Sequence, residues 1–281
     1  MAVPNVSEGR DAAAIAAIGR AFARRARLLD THSDPDHGRS VYTLAARQGE
    51  LAKALVDGAR EALARIDLTA HAGDHPHVGA IDVAPVVYLG PAQRGAACAE
   101  ALTAAATMGD ELGLPVYLYG ELAQGRERHE IRRGGLAGLI ASGLEPDFGP
   151  HDIYPRHGAV LVAARPPLIA FNVDLATDDL DLARAIAAEL RESGGGLPGV
   201  RAIGLYLPSR GRAQVSTNVH DHRRAPLQEI VRRVEARAPV AGLELVGLAP
   251  AEALGAIPGR SIEEALGSEA GHGPDEEEAP A

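Results

Sequence analysis

The sequence predicts an α+β protein made of two ferredoxin-like (split βαβ) sandwiches side by side, with a cleft between them. Two observations carry this. Strand and helix patterns in the second half follow the order β-α-β-β-α-β. The first half can be read in the same order, with residues 2–5 as its first strand and extra helices after its last. A ligand cleft between two such units is the natural site. The expected division is residues 1–164, residues 165–266 and an acidic tail over residues 267–281.

Along the first half, Ala14, Ile15, Ile18, Ala21 and Phe22 recur at helical spacing, and Asp11 suits a helix start, so residues 11–27 read as helix. Leu28-Leu29 begins a short strand. A loop then spans residues 31–39 (THSDPDHGR), a strand residues 40–46, and a helix residues 50–65. Residues 71–79 are irregular, and residues 80–89 (AIDVAPVVYL) are β-rich. Pro91 opens a helix that runs to about residue 112. Residues 114–119 (LPVYLY) form a buried strand, residues 126–144 a helical connection, and residues 146–157 a Pro/Gly-punctuated loop. In the second half, strands are expected over residues 168–175, 201–207, 213–219 and 244–248, with helices over 178–193 and 226–236.

Composition narrows the function classes. A chain of 281 residues with 46% hydrophobic and 23% charged residues buries a substantial core. The net charge of -10 argues against a general nucleic-acid binder but leaves room for small anionic substrates at local cationic clusters. Cys98 is the single cysteine, which excludes an intramolecular disulfide and fits a reducing, cytoplasmic setting; its Ala-rich helical context marks it as a core residue. The N-terminus has no signal-peptide pattern, and no stretch reaches the roughly 20 apolar residues needed to span a membrane.

Among the eleven histidines, His71, His75 and His77 fall within seven residues, HAGDHPH. Gly73 and Pro76 break the helix that would give His71 and His75 a metal-binding geometry, and no metal is expected there. His75 is held between Gly73-Asp74 and Pro76, just before a buried strand carrying Asp82. An imidazole there suits proton abstraction near neutral pH, and a polar loop residue is the alternative. The cluster His32-Ser33-Asp34-Pro35-Asp36-His37-Gly38-Arg39 reads as a substrate-contacting or histidine-orienting loop, or as a turn with solvated carboxylates. Arg126, Arg128, Arg132, Arg133 and Arg156 are either a solvated face or a grip on substrate carboxylates.

Taken in order, these pieces resemble the formiminotransferase family. The resemblance is carried by Val3-Pro4-Asn5-Val6-Ser7-Glu8-Gly9-Arg10, by Ser33-Asp34-Pro35-Asp36-His37-Gly38-Arg39-Ser40-Val41, and by residues 73–85 (GDHPHVGAIDVAP). It continues through residues 114–121 (LPVYLYGE), 146–150 (PDFGP), 169–173 (IAFNV), 196–207 (GLPGVRAIGLYL), 214–219 (QVSTNV) and 245–250 (LVGLAP). It implies two α/β subdomains with the folate site between them. It implies transfer of a formimidoyl group from N-formimidoyl-L-glutamate to tetrahydrofolate, without a metal, with His75 as the catalytic base. It also implies folate contacts from Gly149-Pro150-His151-Asp152-Ile153-Tyr154-Pro155-Arg156-His157-Gly158, and a cytoplasmic homodimer. Asp74 and His77 stand where the family carries Glu and Arg, and His32 where some members carry a supporting carboxylate. Another folate-dependent one-carbon transfer, or folate binding without catalysis, remains as the alternative.

Overall fold

Two sheets, each with helices on one face, organise the chain; the structure is a computed structural model that describes residues 1–71 and 76–267. The first unit contains β1 (Asn5–Val6), α1 (Ala12–Ala23), β2 (Arg27–Asp34), β3 (Arg39–Ala45), α2 (Leu51–Arg65) and β4 (Ile81–Val87). It continues with α3 (Arg94–Leu112), β5 (Val116–Leu118), α4 (Arg128–Ile131), α5 (Gly135–Ser142) and β6 (Val160–Arg165). Its sheet order is β2-β3-β1-β4-β6-β5. The first four strands pair antiparallel as a split βαβ unit, and β6 and β5 extend it with parallel pairings.

The second unit contains β7 (Ile169–Leu175), α6 (Leu180–Leu190), β8 (Val200–Leu207), β9 (Arg212–Val219), α7 (Leu227–Glu235) and β10 (Val240–Val246). Its sheet, ordered β10-β7-β9-β8, is wholly antiparallel. The chain then returns toward the first unit through β11 (Leu248–Ala249), α8 (Ala251–Leu254), β12 (Arg260–Ser261) and α9 (Ile262–Gly267). Ile262 and Ala265 pack there with Leu29. The acidic tail lies outside the described residues beyond Gly267.

The local signals explain most of these elements. Asp11 caps α1 by accepting from the N–H groups of Ala13 (2.8 Å) and Ala14 (3.0 Å), and Asp179 caps α6 through Leu182 (2.9 Å). Ile18, Phe22, Leu55 and Met108 from α1–α3 pack in one buried cluster with Leu44, Val86 and Val162 of the sheet. Each large side chain buried this way contributes about 1.5–3 kcal/mol relative to exposure. Cys98 packs half-buried against the same cluster. A second cluster holds α6 and α7 against β7–β10 through Ile186, Leu190, Ile230 and Phe171. None of the helices among the described residues is long and apolar enough to cross a membrane.

Three differences from the sequence reading have physical causes. α1 stops at Ala23, and the chain turns through residues 24–26 to begin β2. β2 continues through residues 31–34, pairing His32 with Val41 and Asp34 with Arg39, so the expected loop shrinks to a hairpin tip over residues 35–38. Asp34, Asp36 and His37 are buried against polar partners of the second unit, and their polarity therefore imitates a solvated loop. β6 has no counterpart in the sequence reading. As a parallel strand covered on both faces it is apolar up to its terminal Arg165, and period-2 alternation is absent.

Candidate functional site

The inner faces of the two sheets meet, and the hairpin between β2 and β3 ties them together. Asp34 accepts from the backbone N–H groups of Asp36 and His37 (both 2.8 Å), which shapes the tip, and its other oxygen accepts from Arg210 (2.9 Å). Asp36 accepts from the Ser209 N–H (3.1 Å) and hydroxyl. His37 Nε2 donates to Gln214 Oε1 (3.1 Å), and Gln214 donates onward to Asp174 (2.8 Å). Asp34, Asp36 and His37 are only 4%, 6% and 8% exposed, which overturns the solvated-turn alternative. These residues dock one subdomain on the other.

Glu244 of β10 belongs to this network. Its carboxylate accepts from Asn172 (2.9 Å) and Arg210 (3.3 Å), and His32 Nε2 lies 3.4 Å away. Burial opposes its ionisation, but the His32, Asn172 and Arg210 contacts outweigh it and hold the carboxyl down at about 2. A depressed carboxyl pKa stabilises the fold above the unfolded value, and that contribution disappears as pH falls through the folded one. Glu244→Gln is therefore expected to cost on the order of 2 kcal/mol at pH 7, less than the full linkage value because solvent still reaches the carboxylate. The difference from wild type should shrink steadily from about pH 5 to pH 2. Denaturant unfolding of both proteins across that range checks this, and a pH-independent difference contradicts it.

A bulge aims the central carboxylate. Val6 pairs with Ile81 but Asn5 pairs with Val83, so Asp82 is the extra residue of β4. Asp82 is fully buried; it accepts from the Val78 N–H (2.9 Å) and from Arg132, and Arg39 Nη2 lies 2.8 Å away. Burial alone would raise the Asp82 carboxyl, but Arg132 and Arg39 hold it below the ordinary range. Two guanidiniums thus share one carboxylate, which leaves the neighbourhood cationic.

That cationic wall lines the space between the units. An inner cavity of about 110 Å³ runs between the sheets, with Arg39, Arg128, Arg132 and Arg165 on one side and Asn172, Ser216 and Asn218 on the other. A larger cleft of about 580 Å³ lies beside it, lined by Pro76, Arg128, His129, Arg132, Arg201 and Asn218 among others. A small recess of about 50 Å³ shares Arg128, His129 and Arg201 with this cleft. Of the arginines picked out in the sequence, Arg126 pairs with Asp147 and Arg132 with Asp82, whereas Arg128 faces all three spaces.

His75 lies outside the described residues, but both flanks of its loop are described. On one side, His71 stacks edge-on against His77 with ring centroids 4.3 Å apart; burial, and then His77 itself, lower the His71 pKa. On the other side, Pro76 lines the large cleft. Among the described residues, no group of three His, Cys, Asp or Glu side chains is arranged to hold a metal ion.

The expected folate segment begins far along the sheet edge and ends beside the His75 loop. Gly149 packs on Gly109 and Leu114, whereas the Ala80 N–H donates to His157 (2.9 Å) and the Ala159 N–H to Val78 (2.9 Å). Gly79 and Gly158 cross at this junction. A Cβ on Gly79 would sit 1.8 Å from the Ala159 carbonyl oxygen, and one on Gly158 2.1 Å from that of Val78. Tyr154 and His157 stack edge-on 5.2 Å apart. Residues 149–158 line neither the cleft nor the two smaller spaces. Conversely, Tyr119, Arg165, Arg201 and His220 line them without having been picked out in the sequence; they are scattered, and only the sheets bring them together.

The comparisons with known proteins agree with this architecture. The family model described as the formiminotransferase domain, N-terminal subdomain, matches residues 1–165, and that described as the formiminotransferase domain matches residues 170–262. The chain is 37% identical over 267 residues to the glutamate formimidoyltransferase of Streptococcus pyogenes serotype M1, covering 90% of this chain and 89% of that protein. It is 35% identical over 268 residues to the glutamate formimidoyltransferase of Thermoplasma acidophilum, covering 90% and 88%. It is also 38% identical over 276 residues to the formimidoyltransferase-cyclodeaminase of Sus scrofa, covering 90% of this chain but only 50% of that longer protein. With both subdomains matched in order and microbial relatives matched nearly end to end, the chain belongs to the formiminotransferase family.

Proposed function

We propose that this chain transfers the formimidoyl group of N-formimidoyl-L-glutamate to N5 of tetrahydrofolate, giving 5-formimidoyltetrahydrofolate and L-glutamate. The observation that carries the reading is the match of both halves to the formiminotransferase domain across the two units that wall the cationic cleft. A cleft of about 580 Å³ is of the size that takes a folate-sized ligand. Its arginines suit two substrates that both carry carboxylates. The reading divides the chain into a catalytic N-terminal subdomain (residues 1–164) and a C-terminal subdomain (165–266), working as a cytoplasmic homodimer on small-molecule substrates.

In this reaction N5 attacks the amidine carbon and a tetrahedral intermediate forms. His75 takes the N5 proton and returns it to the departing glutamate nitrogen, so one residue serves as base and then acid. Tetrahydrofolate is the co-substrate; of the segment from Gly149 to Gly158 that the family resemblance assigns to folate, the His157–Gly158 end, which abuts residues 78–80, is the part nearest the His75 loop. Aligning the two substrates supplies much of the rate.

The test is stoichiometric. L-glutamate is released from N-formimidoyl-L-glutamate only when tetrahydrofolate is present, with one folate modified per glutamate. Release without folate indicates a hydrolase, and folate binding without release indicates a binding protein; either result ends the proposal.

A further inference from the structure

We propose that the small recess walled by Tyr119, Arg128, Arg165, Leu168, Arg201 and His220 binds a carboxylate of the amino-acid donor and so anchors it beside the cleft. This assignment rests on the reading of the chain as a formimidoyl transferase and names where that donor is held.

Charge is the first observation. Three guanidiniums border the recess, and among the described residues Glu127 is the one carboxylate lining it, paired with Arg201 (2.9 Å) at its rim. Arg128 has no carboxylate partner among the described residues. It lies near enough to Arg39, Arg132 and Arg165 to disfavour their charged forms. An uncompensated, half-buried cation among like charges is costly unless a ligand supplies the missing anion.

A buried hydroxyl is the second. Tyr119 and Arg165 both line the recess, and the Tyr119 hydroxyl and Arg165 Nε are buried with no hydrogen bond of full geometry, although the two side chains interact with each other. A hydroxyl facing a guanidinium can only accept from it, so its own proton still lacks an acceptor. A carboxylate has the lone pairs to take that proton together with the Arg128 fork.

His220 supplies the third. Burial, then Arg201, Arg128 and Arg165, lower its pKa to about 4, so the imidazole is neutral at pH 7. It offers an N–H without adding a fourth cation. The volume of about 50 Å³ admits a carboxylate but not a pterin ring. Because the recess opens onto the cleft at Arg128, His129 and Arg201, the rest of an anchored donor extends along the wall that Pro76, the neighbour of His75 in sequence, also lines.

The experiment compares wild type, Arg128→Gln and Arg128→Lys in the full chain. It reads KM for N-formimidoyl-L-glutamate, KM for tetrahydrofolate, and calorimetric affinity for L-glutamate. Arg128→Gln is expected to raise the donor KM and weaken L-glutamate binding about 10-fold or more, well beyond any rise in KM for tetrahydrofolate, whose cleft Arg128 also borders. Arg128→Lys restores part of the loss, because it keeps the charge but not the bidentate fork. Unchanged donor KM and L-glutamate affinity overturn the proposal, as does a rise confined to tetrahydrofolate, which would give the recess to the folate tail.

If wild type transfers nothing, the functional reading fails, and the L-glutamate measurement still decides the recess. Binding that Arg128→Gln abolishes supports it, and no binding by wild type overturns it. Should Arg128→Gln fail to fold, Tyr119→Phe removes the buried hydroxyl with its ring kept in place. It is expected to raise the donor KM about 3- to 10-fold and to leave that for tetrahydrofolate unchanged; no change in the donor KM overturns the proposal.

Discussion

Replacing Asp82 with Ala is expected to lower the unfolding free energy by about 3–5 kcal/mol. Asp82 is fully buried and is the carboxylate contacted by both Arg39 and Arg132, and it also accepts from the Val78 N–H. Its removal leaves two guanidiniums facing one another in a poorly hydrated wall and orphans a buried backbone donor. Asp82→Asn separates these effects, since the amide oxygen still accepts from Val78 while the charge is gone. It should fall between wild type and Asp82→Ala. Urea unfolding gives the comparison, with an unchanged slope expected because the folded surface is the same. A loss below about 1 kcal/mol for Asp82→Ala would contradict the assignment of Asp82 as the counter-charge that holds the wall together.

The second large effect falls on activity. His75→Ala is expected to reduce kcat about 10²- to 10⁴-fold while tetrahydrofolate affinity stays within about threefold, as removal of a proton-transfer group requires. The loop that carries His75 is anchored on its far side by Gly79 against Gly158 and by Val78 on Asp82, so truncation at position 75 leaves both anchors intact. A kcat within about tenfold of wild type would mean that the proton goes elsewhere. His71 and His77, stacked edge-on in the same segment, are then the next groups to substitute.

Much of this fold was legible because it is written in local patterns. The β-α-β-β-α-β order of the second unit, the Asp11 cap and the helical spacing of Ile15, Ile18 and Phe22 are short-range signals, and the structure follows them. β6 was not legible: residues 160–164 (VLVAA) form an unbroken apolar run ahead of Arg165, since a parallel strand buried on both faces has no polar side to alternate with. The stretch over residues 31–34 read as loop for the opposite reason. His32 and Asp34 are polar because they meet Glu244 and Arg210 of the second unit, and that partnership is invisible to a local pattern.

The site divides in the same way. The His75 segment and the Gly149–Gly158 segment are each contiguous, so a family resemblance can point to them along the chain. The walls of the three spaces are different: Arg39, Arg132, Arg165, Arg201 and His220 come from separate elements, as does Asp82 buried behind them, and no spacing connects them. The slip in the β1–β4 register that turns Asp82 inward is likewise a property of the paired strands, not of the sequence around position 82.

The most direct test of the central claim follows the carbon that moves. Wild-type protein is given N-formimidoyl-L-glutamate labelled at the amidine carbon and one equivalent of tetrahydrofolate, and the label is traced in a single turnover. The predicted result is label bonded to folate N5, with unlabelled L-glutamate released in equal amount. Label that stays with the donor, or that appears as free formamide or formate with the folate unmodified, would contradict the assignment of formimidoyl transfer to this chain.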